Sequence, residues 1–349
     1  MGAGNDQRKT SGALREIIKL TPAGAGFFIV VKNFIILIFV QMFKMKYWLL
    51  ASTICICSCT CNQQLPPTAV NEERIIEKDS AQKSTFLQEY AVYLQNLDTS
   101  KLSNSSLAIE KYKLFFNNVD TADADSAYVL FFAFYNVMLD KLLDQHYKNY
   151  TDQSAFTISN TGNVTPKTQQ AKQYFSQLHS NGFTLSVEEG STYVKHDFDF
   201  IAKHFYNTVS TTMRIYLEQV RRENKEGFLR DAAMVITPTA LAIRIIFWDE
   251  FLMNHSSFVF NETIRQKQRE YLTFLLEGVD NTPLLDHTTK QLSARYEKAY
   301  QYVLVTHPTS NLAGILKPYY QNLQKNSIAR DQQILKQYRS EKKILDFEQ

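Results

Sequence analysis

No cysteine follows residue 61 in this chain of 349 residues. The four that exist, Cys55, Cys57, Cys59 and Cys61, lie within seven residues of one another. The rest of the chain therefore cannot contain a disulfide framework. A metal site at these cysteines would lack the distant Cys or His pair that usually completes four ligands. We expect no bound metal and no other cofactor.

Glycine is scarce as well, with six residues after position 60. All-β folds need many tight turns, and tight turns favour glycine, so this scarcity argues against such a fold. The 19 tyrosines and 24 phenylalanines can supply a sizeable apolar core, since each buried ring removes roughly 150–250 Å² from water. The composition is that of a globular, mainly helical protein.

Several local patterns predict where helices begin and end. The segment 197–220 is expected to form one helix capped by Asp197, with apolar residues at three- and four-residue steps. Thr237 and Thr165 are each followed by proline, which is favoured at the first helical position. A further helix is expected from Asn261 to Gly278.

Two segments define the expected fold class. Residues 127–139 are apolar on almost every side, which is typical of the buried centre of a bundle. Residues 183–194 alternate around a turn and predict a β-hairpin. We therefore predict an all-α fold, either a multi-helix bundle or an irregular helical array, with one small β-hairpin near 183–194. It is expected to form a single helical domain over 69–349.

Positive charge is concentrated at the start of the chain. Residues 1–59 carry seven basic and two acidic side chains, so 31 basic and 33 acidic ones remain after them. The remainder is close to neutral and has no excess of positive charge for binding phosphate backbones. Nucleic acid is therefore excluded as a partner.

The segment that begins at Met42 has the three parts of a secretory signal. Two lysines come first, an apolar run follows over 47–56, and the small residue Ser58 precedes Cys59. The order Ile-Cys-Ser-Cys at 56–59 resembles the lipobox of bacterial lipoproteins. That resemblance implies diacylation of the Cys59 thiol, cleavage before it and acylation of the new amine.

These features divide the chain into a leader over 1–58, a lipidated cysteine with a polar tether over 59–68, and the domain that follows. Residues 1–41 do not fit a signal peptide. They are explained by an over-long gene start, with Met42 or Met45 as initiator, or by a transmembrane helix over 27–59. In either case the expected location is the bacterial cell envelope, outside the cytoplasm, with the membrane as a partner.

The first candidate site lies in the predicted hairpin, because loops on rigid scaffolds often carry function. Glu188 and Glu189 are adjacent and point to opposite faces of a strand, so they cannot form a catalytic carboxylate pair. One of them could act as an acid or bind a ligand, with Tyr193 near it across the turn. The alternative is a solvated acidic turn.

The second candidate site lies in the apolar helix after Thr237. Charged residues in such a helix face solvent or are paired inside the protein. Arg244 is expected either to pair with a carboxylate, for example Glu189, or to bind a ligand. Trp248 is a candidate platform for a glycan or peptide.

Three functions stay open at this point. The first is non-enzymatic binding of a glycan, an envelope polymer or a partner protein. The second is an envelope hydrolase that uses a carboxylate in the loop 188–193, and the third is a structural or assembly protein. The seven histidines show no metal-ligand spacing, and no nucleophile motif indicates a hydrolase triad.

Overall fold

The computed structural model describes residues 85–150, 154–159, 164–188, 190–325 and 328–346. Cys59 and Glu189 lie outside these residues, and of Glu188 only the backbone is described. The predictions on the leader, the lipid and the tether therefore concern a part of the chain outside this description.

The described residues are mostly helical, with eleven helices, which confirms the predicted fold class. They fall into two compact units that divide between residues 221 and 222. The single domain expected over 69–349 stays a prediction, and each unit is described here by itself.

The first unit is built around one long helix. Its elements are α1 (85–96), α2 (Asn104–Phe116), α3 (Thr121–Tyr150), β1 (Phe156–Ile158), β2 (Val164–Pro166), α4 (Gln169–Ser180), β3 (Phe183–Glu188), β4 (Ser191–His196), α5 (Phe198–Phe205) and the start of α6 (Thr211–Glu226). Strand β4 packs against α3, and so does α2. The predicted apolar segment 127–139 is the buried centre of α3, which is longer than the sequence pattern indicated.

Helix α3 contributes more buried aromatic rings to this unit than any other described element. Tyr128 and Phe131 both contact the ring of Phe205, with centroids 5.1 and 4.8 Å away. By length and composition, α3 is the one described helix that could cross a membrane, but 56% of its apolar window is buried inside the protein. A buried core helix meets the same criteria.

The second unit begins within α6. Its further elements are β5 (Leu229–Arg230), β6 (Ala233–Met234), α7 (Pro238–Asn254), α8 (Asn261–Glu277), β7 (Gly278–Val279), β8 (Thr282–Pro283), α9 (Ala294–Thr306), α10 (Asn311–Leu323) and α11 (Ile328–Ser340). Helix α7 is apolar on several sides and packs against α8, α9 and α10. It is the central helix of this unit.

Tyrosine hydroxyls complete the end of α8. The last carbonyls of a helix have no partner within the helix and need hydrogen-bond donors from elsewhere. Three successive carbonyls of α8 accept from Tyr296, Tyr300 and Tyr319 at 3.4, 2.9 and 2.9 Å. Part of the high tyrosine content is therefore used to join α9 and α10 to α8.

Two short hairpins in the second unit meet at their turns. Each follows a Glu-Gly pair at a helix end, and Gly227 and Gly278 both have φ of 74°. The backbone N–H of Asn281 donates to the Ala232 carbonyl at 3.0 Å, and its side chain donates to the Asp231 carbonyl. At Gly278 a Cβ would lie 2.5 Å from the backbone nitrogen of Leu284, so both the conformation and the space require glycine.

Several predicted boundaries are confirmed. Asp197 accepts hydrogen bonds from the backbone of Asp199 and Phe200 at the start of α5. Thr237 accepts from the backbone of Ala240 with proline at the first position of α7, and Gly278 ends α8. The predicted hairpin is present as β3 and β4, although the described residues contain three further two-stranded hairpins.

Two predicted elements are wrong. The segment 197–220 is not one helix, because it breaks at 206–210, where Ser210 caps α6 and donates to Asp125. Thr165 and its proline do not begin a helix. They lie in β2 and pair with β1, and α4 begins later with Thr168 as its cap.

Candidate functional site

The structure brings two of the predicted binding residues together. Arg244 and Trp248 lie one turn apart on α7 and are 3% and 0% exposed. Tyr193 lies on β4 of the first unit and is half-buried. Arg244 does pair with a carboxylate, and this partner is Glu226, with N and O 2.8 Å apart.

A buried carboxylate organises the surroundings of Trp248. Glu223, on α6, is 4% exposed. One of its oxygens accepts from the Trp248 indole N–H at 2.8 Å. The other accepts from the Tyr271 hydroxyl and the Lys267 ammonium, both at 2.8 Å. These four residues, with Arg244, are called here the Glu223 cluster.

Rings and cations alternate within the Glu223 cluster. The Lys267 ammonium lies 6.0 Å from the Trp248 ring and 5.7 Å from the Tyr271 ring. Arg244 lies 5.9 Å from the Tyr271 ring and donates to the Gly227 carbonyl at 2.9 Å. Burial raises the pKa of Tyr271 well above its usual range, so its hydroxyl remains a donor. The cluster thus joins α6, α7 and α8 by charge-assisted hydrogen bonds.

The Glu223 cluster offers little room for a ligand as it stands. Trp248 has no exposed surface, and its only donor is already bonded to Glu223. A removed partner would leave a buried charge uncompensated, which is strongly unfavourable. The geometry therefore supports a role in holding three helices together.

A second polar group connects the hairpin to α3 and is centred on a histidine of that helix. His146 of α3 is 3% exposed, and its Nε2 lies 3.0 Å from the Thr192 hydroxyl. Its other ring nitrogen lies 3.2 Å from the Tyr174 hydroxyl. Burial lowers the pKa of His146, which keeps it neutral. These contacts fasten β4 and α4 to α3.

His196, at the end of β4, is enclosed by aromatic rings. It stacks on Tyr135 with centroids 4.4 Å apart and lies 5.4 Å from the Phe132 ring. Burial lowers its pKa to about 4, and its Nε2 has no hydrogen-bond partner. Within the part of the chain that the structure describes, no group of three or more His, Cys, Asp or Glu residues could hold a metal ion.

An open groove lies between α1 and α2 of the first unit. Its volume is about 510 Å³, and seven residues line it: Thr85, Gln88, Glu89, Val92, Tyr93, Asn96 and Lys111. We call it the α1–α2 groove. Six of these residues come from α1, at three- and four-residue steps that place them on one helical face.

Lys111, which lines the α1–α2 groove, lies over two aromatic rings, of which Tyr93 also lines it. The Lys111 ammonium lies 4.1 Å from the Phe115 ring centroid and 5.6 Å from that of Tyr93. Phe115 in turn stacks on Phe86, with centroids 5.1 Å apart. The rim is polar and includes the exposed side chains of Gln88 and Asn96.

The α1–α2 groove was not predicted from the sequence. Val92 and Tyr93 lie among amide and acidic residues of α1, and Val92 is 56% exposed. Single exposed apolar residues are common on protein surfaces, so this pattern does not mark a site. Lys111 lines the groove because α2 packs beside α1. A pattern within one segment of the sequence does not show which helices pack together.

Comparison of this chain with protein-family models, curated proteins and solved structures gives no match. The lipobox-like segment and the geometry of the described residues are therefore the features that bear on function.

Proposed function

We propose that this protein is a lipid-anchored protein of the bacterial cell envelope that binds a glycan without catalysing a reaction on it. The anchor is Cys59, supported by the lipobox-like order at 56–59. The mass of the mature N-terminus should show an acylated cysteine, and Cys59→Ala should release the protein from membranes. Unchanged anchoring of that variant would contradict this part of the proposal.

The observation that carries glycan binding is the composition of the α1–α2 groove. Sugar rings have an apolar face, which suits an accessible aromatic ring, and hydroxyl groups that need donors and acceptors. Tyr93 supplies the ring, Gln88 and Asn96 supply amides, and Glu89 supplies a carboxylate. Small-molecule sites commonly combine apolar surface with a few polar groups in this way.

The Glu223 cluster supports the proposal by contrast. It also places an aromatic residue, Trp248, beside charges, yet the Trp248 ring is buried and its indole N–H is bonded to Glu223. The α1–α2 groove presents similar chemistry to solvent. We therefore assign ligand binding to the groove and structural support to the cluster.

The experiment is a glycan-array screen of the full chain in detergent, followed by calorimetric titration of the glycans that bind. Tyr93→Ala should weaken binding about tenfold or more, equal to roughly 1.4 kcal/mol. The matched control is Tyr147→Ala, which removes a tyrosine that is 75% exposed on α3 of the same unit. It should leave binding unchanged.

Three results would contradict the proposal. The first is that no glycan binds, which would favour a partner protein or a structural role. The second is an equal loss in Tyr93→Ala and Tyr147→Ala, and the third is cleavage of the bound glycan, detected by chromatography after long incubation.

A further inference from the structure

Lys111 is the cationic residue among those that line the α1–α2 groove. It lies against the Phe115 and Tyr93 rings, yet none of the ion pairs between described residues includes it. As a residue, Lys111 is half-buried. A cation without a carboxylate partner among the described residues is available to an anionic ligand, and salt weakens such an interaction.

The other charged residue of the groove does not serve as the partner. Glu89 lines the same space, but it is exposed and forms no ion pair with Lys111. Exposed carboxylates are well hydrated and contribute little to ion pairing. Among the described residues, the groove thus presents a cation without an ion-pair partner and an exposed carboxylate.

We propose that the α1–α2 groove selects acidic glycans, in which a sugar carboxylate pairs with Lys111 while the sugar ring stacks on Tyr93. This inference rests on the proposed function, because it names the class of glycan that the same groove binds. The Lys111 ammonium lies over the Tyr93 ring, 5.6 Å from its centroid, so a carboxylate that pairs with Lys111 would bring its sugar close to that ring. Charge complementarity of this kind supplies specificity more than affinity.

The test compares uronic-acid oligosaccharides with their methyl esters, which keep the sugar backbone and remove the charge. The full chain in detergent is titrated with a panel of both. The acids should bind about tenfold more tightly than the esters, and this preference should weaken as salt rises from low to high concentration, since salt screens exposed charges.

Two substitutions at one position separate charge from shape. Lys111→Met should lower the affinity for the acids to that for the esters, whereas Lys111→Arg should keep the preference because the positive charge remains. Glu89→Gln should strengthen binding of the acids slightly, because it removes a nearby like charge. Thermal unfolding of each variant shows whether it is folded.

The outcomes separate the preference for acidic glycans from glycan binding itself. Equal binding of acids and esters, or a preference that Lys111→Met leaves intact, would overturn the selection of acidic glycans. Glycan binding that still depends on Tyr93 would keep the proposed function in that case. Failure of every acid and ester to bind, together with a glycan array without binding, would overturn both.

Discussion

Lys267 and Lys111 each lie over two aromatic rings, and their surroundings differ. Lys267 lies near Trp248 and Tyr271 and pairs with the buried Glu223. Lys111 lies near Phe115 and Tyr93 in an open groove, and no ion pair between described residues includes it. The Glu223 cluster, whose charges are paired within the protein, joins three helices, whereas the α1–α2 groove is open to solvent and is the site that we propose for a ligand.

The largest expected effect comes from a substitution in the Glu223 cluster. Glu223→Gln removes the charge that compensates Lys267 and replaces an acceptor with a group that cannot satisfy the same three donors. We expect the free energy of unfolding to fall by about 2–4 kcal/mol, because the buried donors of Trp248 and Tyr271 lose their charged acceptor, whereas Lys267 is 31% exposed and can be hydrated. Urea denaturation measures this change.

The control for Glu223→Gln is Glu262→Gln, because Glu262 pairs with Arg269 on the surface and is 58% exposed. Its effect should stay below about 1 kcal/mol. Similar costs for the two variants would show that the Glu223 cluster is no more important for stability than a surface pair.

The next effect concerns His196, whose buried imidazole is unfavourable to protonate in the folded protein. The pKa of His196 is lowered to about 4 by burial, while an unfolded histidine titrates near 6.5. Between these values the unfolded chain binds a proton that the folded chain does not, so stability falls as pH falls. From pH 7.5 to pH 5 we expect a loss of about 2 kcal/mol from this residue.

The measurement is urea unfolding of the wild type and of His196→Phe at both pH values. The difference between their pH slopes isolates His196 from Asp140, whose pKa is raised to about 6 by burial and the nearby Asp144 and which acts in the opposite direction. Identical slopes would contradict the buried, neutral state of His196.

Local signals in the sequence predicted the fold where tertiary contacts agreed with them. Thr237 and its proline begin α7 as expected, because nothing competes with the cap. Thr165 and its proline have the same signal but pair with Thr157 and Phe156 in a hairpin. The difference arises from strand pairing, which is a contact between segments and leaves no mark in the local pattern.

The surroundings of Trp248 and Arg244 were harder to predict, because they too depend on contacts between distant segments. The sequence shows that Trp248 and Arg244 lie in an apolar helix, and this indicates either burial or function. Glu223, which accepts the Trp248 indole N–H, lies 25 residues earlier in the chain. No sequence motif links the two positions. The α1–α2 groove likewise requires Lys111 to meet a face of α1 across a helix pair.

The most direct test of this account is a calorimetric titration of one array-selected glycan into the wild type, Tyr93→Ala and Trp248→Phe. The account predicts that Tyr93→Ala loses affinity about tenfold without losing stability. It predicts that Trp248→Phe loses stability, because Glu223 loses a donor, but keeps the wild-type affinity while folded. Lost affinity in folded Trp248→Phe, with Tyr93→Ala unchanged, would contradict the account and place the site at the Glu223 cluster.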